Sequence, residues 1–255
     1  MFVEERHKAI DTELCEKGTV RVKDLSVRFG VTEDCIRKDL KILENQGRLR
    51  RIYGGAILSK DYPLEREVIK RKDFHTNRKQ RIAAKALEII KDEETLFLDI
   101  STTNIELAKL LVQEDRKVVV VSNMIDILQI LVKAPRITVI GTGGLMYENV
   151  NGFMGAAAME VIRQYSFDRA FLGSCGIDFT DNTVTTLGVE DGLTKKSVLK
   201  SSRHKYVMME KEKFYFNESY KYAALDDIDA IITDEQPDAT TLGVLDSVGV
   251  ELYVG

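Results

Sequence analysis

Apolar residues recur along this chain with two different periods, and the change between them divides it. Over residues 5–17, Ala9, Ile10 and Leu14 fall on one side of a helix, and Gly18 follows as a stop. Val22, Leu25 and Phe29 form the stripe of a second short helix. Gly30 ends it and is free to take the left-handed conformation of a tight turn. Thr32 then reads as an N-cap, with Glu33 and Asp34 in the first turn, where acids suit the helix dipole. Ile36, Leu40 and Leu43 fall at i, i+4 and i+7 and predict a buried face, while Arg37 and Lys41, with Lys38 nearby, point elsewhere. After Gly47 the run Arg48-Leu49-Arg50-Arg51-Ile52-Tyr53-Gly54-Gly55 predicts a short basic hairpin.

Residues 58–75 are charged, include Pro63 and keep no clean period, and they read as a linker. From residue 76 helices and strands alternate. Helices are expected over 77–91, 104–112, 124–132, 156–164 and 192–201, with one more before the end. Strands are expected over 95–100, 117–122, 136–141, 168–173, 205–209, 230–233 and 251–254. These strand runs are apolar throughout, as strands buried on both faces must be, and their alternation with helices implies a parallel, doubly wound α/β sheet. The expected organisation is a head of residues 1–57, a linker of 58–75 and a body of 76–255.

Composition adds a difference in sign. Residues 1–56 hold 12 Lys and Arg against 10 Asp and Glu, and the remainder holds 25 against 31. A mildly basic head on an acidic body argues against a coat of positive charge over the whole molecule. The net charge of −4 agrees with that. Cys15, Cys35 and Cys175 are odd in number and far apart, which fits neither a disulfide framework nor a zinc spacing and suits a reducing cytoplasm. The acidic start MFVEERHK is no signal peptide, and no apolar run approaches the roughly 20 residues that span a bilayer. His7, His75 and His204 are isolated, so no metal site and no cofactor is expected.

The head carries the parts needed to place a helix in the major groove of double-stranded DNA. Thr32, Arg37, Lys38 and Lys41 sit on or at the second helix of the pair, about residues 20–39, and can reach base edges and phosphates. Arg48, Arg50 and Arg51 on the hairpin can contact flanking backbone, which positions more than it specifies. In the body, three successive strands end in small polar or glycine residues: Asp99 to Asn104, Ser122-Asn123, and Gly141 to Gly144. Ligands of open parallel sheets bind at such strand ends. Hydroxyls and free N–H groups at a helix start suit a phosphate or carboxylate, although a plain Ser/Thr cap has the same composition.

The head segment resembles the DeoR-type family of bacterial transcription regulators. The residues that carry the resemblance are Arg6 and Ile10, the core from Thr32 through Cys35-Ile36-Arg37-Lys38-Asp39-Leu40, then Gly47 and Gly54-Gly55-Ala56. Cys35 stands where the family has Thr, and Lys38 where it has Arg, so operator preference can shift. Cys35 is read as a small packed filler rather than a redox switch. The body resembles the family's sensor domain, similar in fold to ribose-5-phosphate isomerase. Asp99, Thr102, Thr103, Asn123, Gly143 and Gly144 match its loops, with Ser101 in place of Gly. Asp191 to Lys195 is a loose counterpart of a Glu-Ala-x-x-Lys helix motif, and Glu210 to Phe214 matches Asp-x-x-Lys-Phe, with Lys213 the cation facing the ligand.

The resemblance implies a winged helix-turn-helix head and a repressor of a carbohydrate-metabolism operon. Its implied partners are operator DNA, a phosphorylated sugar or related effector, and further copies of the chain in a homo-oligomer. The competing reading is a sugar-phosphate isomerase with an appended DNA module. Isomerases of that fold carry an acidic cluster after a central strand, but Ser174 to Asp178 has no paired acids, leaving Asp99, Glu190 and Asp191 as conceivable bases.

Overall fold

In the computed structural model, residues 3–17, 19–46, 48–58, 71–72 and 74–255 are described. The chain divides into two compact units, Met1–Arg66 and Glu67–Gly255. Most of the expected linker, 59–70 and 73, lies outside the described residues.

The first unit is built from α1 (Val3–Lys17), β1 (Thr19–Arg21), α2 (Val22–Phe29), α3 (Glu33–Asn45), β2 (Leu49–Ile52) and β3 (Gly55–Leu58). The helical stripes meet in one core of Ile10, Leu14, Val22, Leu25, Ile36, Leu40 and Leu43, closed by Val20, Leu49 and Ala56 of the sheet. Gly30 takes φ 63°, ψ 34° and turns the chain between α2 and α3. Thr32 caps α3 by accepting from the Cys35 N–H at 3.3 Å. The sheet order is β1-β3-β2, all antiparallel, which makes a wing beside the helix pair. The expected hairpin is longer than its sequence signal and needs β1 to complete it. A three-residue strand has too few positions to show a period, so β1 left no trace in the hydrophobic pattern.

One buried ion pair ties α1 to α3. Arg6 Nε donates to Asp39 Oδ2 at 2.6 Å, a second nitrogen donates to Oδ1 at 3.1 Å, and His7 Nε2 lies 3.0 Å from Oδ1. Burial alone would raise the Asp39 carboxyl, but the hydrogen bonds from Arg6 and His7 outweigh it and hold it below its ordinary value. Two more cations close over buried acids of α1: Arg28 pairs with Glu13, and Arg48 with Asp11.

The second unit holds a seven-stranded parallel sheet in the order β15-β14-β12-β9-β4-β5-β6. Its strands are β4 (Thr95–Leu98), β5 (Val118–Ser122), β6 (Ile137–Gly141), β9 (Phe167–Gly173), β12 (Ser202–Met208), β14 (Ala230–Thr233) and β15 (Glu251–Val254). Every expected strand is present. Alternate residues feed two cores on the two faces. Leu96, Leu98, Val120 and Phe171 pack with α4 (Thr76–Ile89), α5 (Thr102–Gln113) and α6 (Ile125–Leu131). Phe97, Val121, Ala170 and Leu172 pack with α7 (Ala156–Arg163), α8 (Val189–Lys200) and α9 (Ala239–Val248). The chain builds outward from β4 to β6, then returns to build from β9 to β15, so the winding reverses between β4 and β9. In open parallel sheets the place for a ligand is beside such a reversal, at the carboxyl ends of the strands.

Two small sheets were not foreseen. The pair β7 (Leu145–Tyr147) and β8 (Gly152–Met154) is one, and β10 (Gly176–Asp178), β11 (Thr183–Thr186) and β13 (Tyr220–Ala224) make the other, all antiparallel. Their runs are short and mixed in polarity, so they resemble loops in sequence. Helix α8 also begins at Val189, before the expected 192. Gly192, the expected start, lies inside the helix and is a space requirement: a Cβ would lie 2.2 Å from the Tyr220 ring of β13.

The buried pair in the head sets a stability expectation. Replacing Asp39 with Ala leaves the Arg6 guanidinium without its partner and costs about 3–5 kcal/mol. Amide exchange along α3 reads the loss, and the amides of the body sheet keep their protection.

Candidate functional site

Two sets of residues need separate description, because the chain divides into two units. In the head, the sequence-predicted contacts fall on one helix and its wing. Thr32, Arg37, Lys38 and Lys41 are exposed on α3, and Arg50 and Arg51 are exposed on β2. Arg37 lies in the first turns of α3 and forks over two acids of its own helix, reaching Glu33 and Asp34 at 2.6 Å each. Arg51 is drawn to Glu44 at 2.6 Å. Arg48 precedes the strand and is engaged with the buried Asp11. Among the described residues, Lys38, Lys41 and Arg50 make no ion pair. Exposed pairs of this kind are worth about 0–1 kcal/mol, so Arg37 can exchange its carboxylates for a stronger acceptor. Tyr53 stands fully exposed at the wing turn and was not among the sequence candidates.

In the body, the strand ends of β4 and β9 meet at Asp99, which is 0 % exposed. Its Oδ2 accepts from the Gly173 N–H at 3.1 Å and from Lys195 Nζ at 2.5 Å. Lys195 reaches across from α8 and also holds Asp191 Oδ1 at 2.9 Å, while Asp191 Oδ2 accepts from the Thr186 hydroxyl at 2.5 Å. Burial works against the Lys195 charge, but Asp191 and Asp99 outweigh it and hold the ammonium above its ordinary pKa. Asn104 ties the two strand ends together: its Nδ2 donates to the carbonyls of Asp99 and Phe171 at 2.9 and 2.8 Å. Tyr222 lies fully buried behind, its hydroxyl 3.5 Å from the Gly173 carbonyl, and burial pushes that phenol up.

The neighbouring strand ends complete the rim. Ser101 caps α5 by accepting from the Thr103 N–H at 3.2 Å. Thr102 and Thr103 are buried in the first turn of that helix, where the leading N–H groups lack helical partners. Asn123 follows β5, fully buried, and its Nδ2 donates to the Phe153 carbonyl at 3.3 Å. Gly143 and Gly144 follow β6 with φ 60° and 110°. A Cβ at Gly144 would press the Ala158 N–H in α7 at 3.1 Å, so the loop needs its glycine for both conformation and space.

Lys213 belongs to a different cluster. It sits in a 3-10 turn, Lys211–Tyr215, after β12, and pairs with Glu210 Oε2 at 3.0 Å. Burial alone would raise Glu210, but Lys213 and the buried Lys79 of α4 hold it down to about 2. Burial also pulls Lys79 down to about 8, and Lys79 donates to the Arg71 carbonyl at 2.5 Å. The predicted ligand residues therefore fall into an Asp99–Lys195 crevice and a Glu210–Lys213 turn. Asp191 and Lys195 enter the sequence reading only as a loose motif counterpart, with Asp191 a conceivable base, and Asn104 only as the end of a polar segment; none is named there as an effector residue. The i, i+4 spacing of Asp191 and Lys195 on one helix was the available signal.

The segment Ser174 to Asp178 carries no paired acids pointing at substrate chemistry. The Ser174 hydroxyl donates to the backbone carbonyls of Gly176 and Thr185 at 2.9 and 3.2 Å, and Asp178 caps a turn by accepting from the Thr180 N–H at 3.0 Å. His7 is held by Asp39, His75 begins α4 in a left-handed conformation with φ 53°, and neither joins a second histidine. No helix among the described residues is long and apolar enough to cross a membrane.

Comparisons with known proteins address the whole chain. Residues 6–61 match the model of the DeoR-like helix-turn-helix domain, and residues 74–235 match that of the DeoR C terminal sensor domain. The glycerol-3-phosphate regulon repressor of Escherichia coli (strain K12) is 29% identical, over 97% of each chain. The lactose phosphotransferase system repressor of Lactococcus lactis subsp. lactis is 31% identical, over 86% of each chain. Among solved structures, ribose 5-phosphate isomerase A from Methanocaldococcus jannaschii aligns over 53% of this chain and 52% of its own, at 16% identity and a TM-score of 0.39.

Two measurements test this electrostatic reading. Lys195→Met leaves Asp99 buried without its cation and costs about 3–5 kcal/mol by denaturant unfolding, and adding Asp99→Asn recovers part of the loss. Glu210 titrates near 2 in the folded chain and near 4.3 unfolded. Its contribution is complete above the unfolded value and is lost as pH falls through the folded one. Unfolding midpoints followed from pH 5 to pH 2 should therefore fall less steeply in Glu210→Gln than in the unmodified chain.

Proposed function

We propose, for a chain that belongs to the DeoR family of transcriptional regulators, that it represses a carbohydrate-metabolism operon under the control of a phosphorylated sugar or a close relative of one. The observation that carries this reading is the pairing of a helix exposing Arg37, Lys38 and Lys41 beside a basic wing in one unit with polar strand ends around Asp99 in the other. α3 enters the major groove, with Arg37, Lys38 and Lys41 toward base edges and phosphates. The wing residues Arg50 and Arg51 lie along the backbone, with Arg48 contributing from its base. A homo-oligomer places two such helices on a two-fold-related operator.

The effector enters the body with its anion at the first turn of α5 and the Gly143-Gly144 loop, where N–H groups and hydroxyls supply donors. Asp99, Ser101, Thr102, Thr103 and Asn123 line it, and Lys213, paired with Glu210 in a separate turn, is the cation assigned to the effector. Ligand changes DNA binding only in so far as it binds two arrangements of the protein with different affinity. The site is read as a receptor rather than an active site. Its central lysine is shared between Asp99 and Asp191, and the segment after β9 supplies no paired acids to act as base.

Operator DNA from the gene's own promoter region, titrated in a gel-shift assay, tests both halves. Arg37→Ala is expected to cost about 1–3 kcal/mol and to relax sequence preference. Arg50→Ala is expected to weaken all sequences alike and lower the salt slope by about 1. A panel of sugar phosphates should include one that shifts the retarded band and is recovered unchanged. Turnover of that compound with no effect on the band would favour the isomerase reading instead.

A further inference from the structure

We infer that Tyr53, at the tip of the wing, enters the minor groove beside the major-groove site of α3 and distinguishes A·T from G·C pairs there. This rests on the reading that α3 and the wing face operator DNA. A lone exposed apolar side chain carries no message of its own. Tyr53 differs through its place, its surroundings and its support. It is fully exposed, and its neighbour Ile52 is nearly half exposed. Its hydroxyl has no hydrogen-bond partner among the described residues. Cations flank it on both sides. Arg50 and Arg51 precede it on β2, and Arg21 of β1 stands in register with Gly55 beyond the turn. Arg21 and Arg50 are exposed and make no ion pair among the described residues.

The turn holds a set position relative to α3. Tyr53 and Gly54 alone join β2 to β3, with Ile52 opposite Gly55. Gly54 takes φ 77°, which a side chain would resist. Its carbonyl accepts from the Val22 N–H at 2.9 Å, at the start of α2. Gly55 lies against β1, where a Cβ would stand 2.0 Å from the Val20 carbonyl oxygen. The Arg51 N–H donates to Glu44 Oε1 at 2.9 Å and ties β2 to the last turn of α3. A tip fastened on both sides loses little freedom when it binds.

Groove dimensions decide what can enter. The strands of a ribbon lie about 5 Å apart and carry side chains on both faces. The minor groove is about 6 Å wide, so the ribbon stays outside and only its tip reaches in. Gly54 and Gly55 bear no side chains, which leaves the phenol ring as the leading group. A·T pairs present only acceptors in this groove, adenine N3 and thymine O2, whereas G·C pairs add the guanine amino group. A hydroxyl can donate to those acceptors, and the amino group fills the floor that the ring would occupy. The groove concerned lies about half a helical turn, or about 5 bp, from the pairs under α3.

Base analogues test this without confusing the two grooves. Footprinting of the full-length protein on the gene's own promoter DNA maps the site. The flanking pairs are then set in turn to A·T, G·C, inosine·C and 2,6-diaminopurine·T. Inosine·C has the minor groove of A·T and the major groove of G·C, and diaminopurine·T has the reverse. A·T and inosine·C should bind alike, and both about tenfold more tightly than G·C and diaminopurine·T. In Tyr53→Ala the four should agree within about twofold, with the salt slope unchanged because no charge is lost. Tyr53→Phe should keep the order and bind the A·T site about threefold less tightly, since the ring stays and the hydroxyl goes. Equal binding of all four pairs by the unmodified protein overturns the placement of Tyr53 and leaves the operator reading intact. An order that follows the major groove overturns it too, as does an unchanged order in Tyr53→Ala. Absence of any protected site on the promoter DNA overturns the operator reading itself, and Tyr53 with it.

Discussion

A carboxylate with no access to water needs a cation and fixed donors, and much of the body is arranged to give Asp99 both. The sheet reverses its winding between β4 and β9, so Asp99 at the end of one strand meets the Gly173 N–H at the end of the other. The reversal alone would leave a buried negative charge. Helix α8 supplies Lys195, and β11 and β13 hold that helix in register through Thr186 and the close approach of Tyr220 to Gly192. The small antiparallel sheet is thus part of the charge arrangement, since without it Asp191 would lack its hydroxyl partner. Parallel sheets offer a ligand crevice wherever they reverse, and in this chain the crevice has a buried ion pair for a floor.

The parallel sheet was legible in the sequence because its strands are buried on both faces. Runs such as Val118 to Val121 and Ala230 to Thr233 have no polar face to blur them. The head was legible for a related reason: three helical stripes converge on one core, and Gly30 and Thr32 mark the turn between two of them. What escaped was short or antiparallel. β1, β7, β8, β10 and β11 have three or four residues each, too few to establish alternation, and their pairing depends on partners distant in the chain.

The site was legible where strand ends carry small polar residues and illegible where function depends on contact across the fold. Asp99 could be named from its place after β4. That its partner is Lys195, 96 positions later, follows only from the packing of α8 against the sheet. Lys213 shows the converse. Its motif named it as a ligand cation, yet its nearest acid is Glu210 in its own turn, and the buried Lys79 shares that acid. Asn104 reads as one more polar residue in a helix start, but two carbonyls on adjacent strands hold its amide in place.

The two units use charge in opposite ways, and this constrains how each can meet a partner. Arg37 and Arg51 hold exposed acids of the same domain, in pairs that water and salt already weaken. Such cations can trade a carboxylate for a phosphate with little loss, and the freed acids remain solvated. Lys195 cannot trade in this way, because releasing Asp99 or Asp191 would strand a buried carboxylate. A ligand of the crevice must therefore leave the ion pair intact and bind to what it leaves over. That remainder includes the leading N–H groups of α5, which lack helical partners. Selectivity in the head can come from exchanging partners, whereas in the body it comes from matching groups already committed to one another.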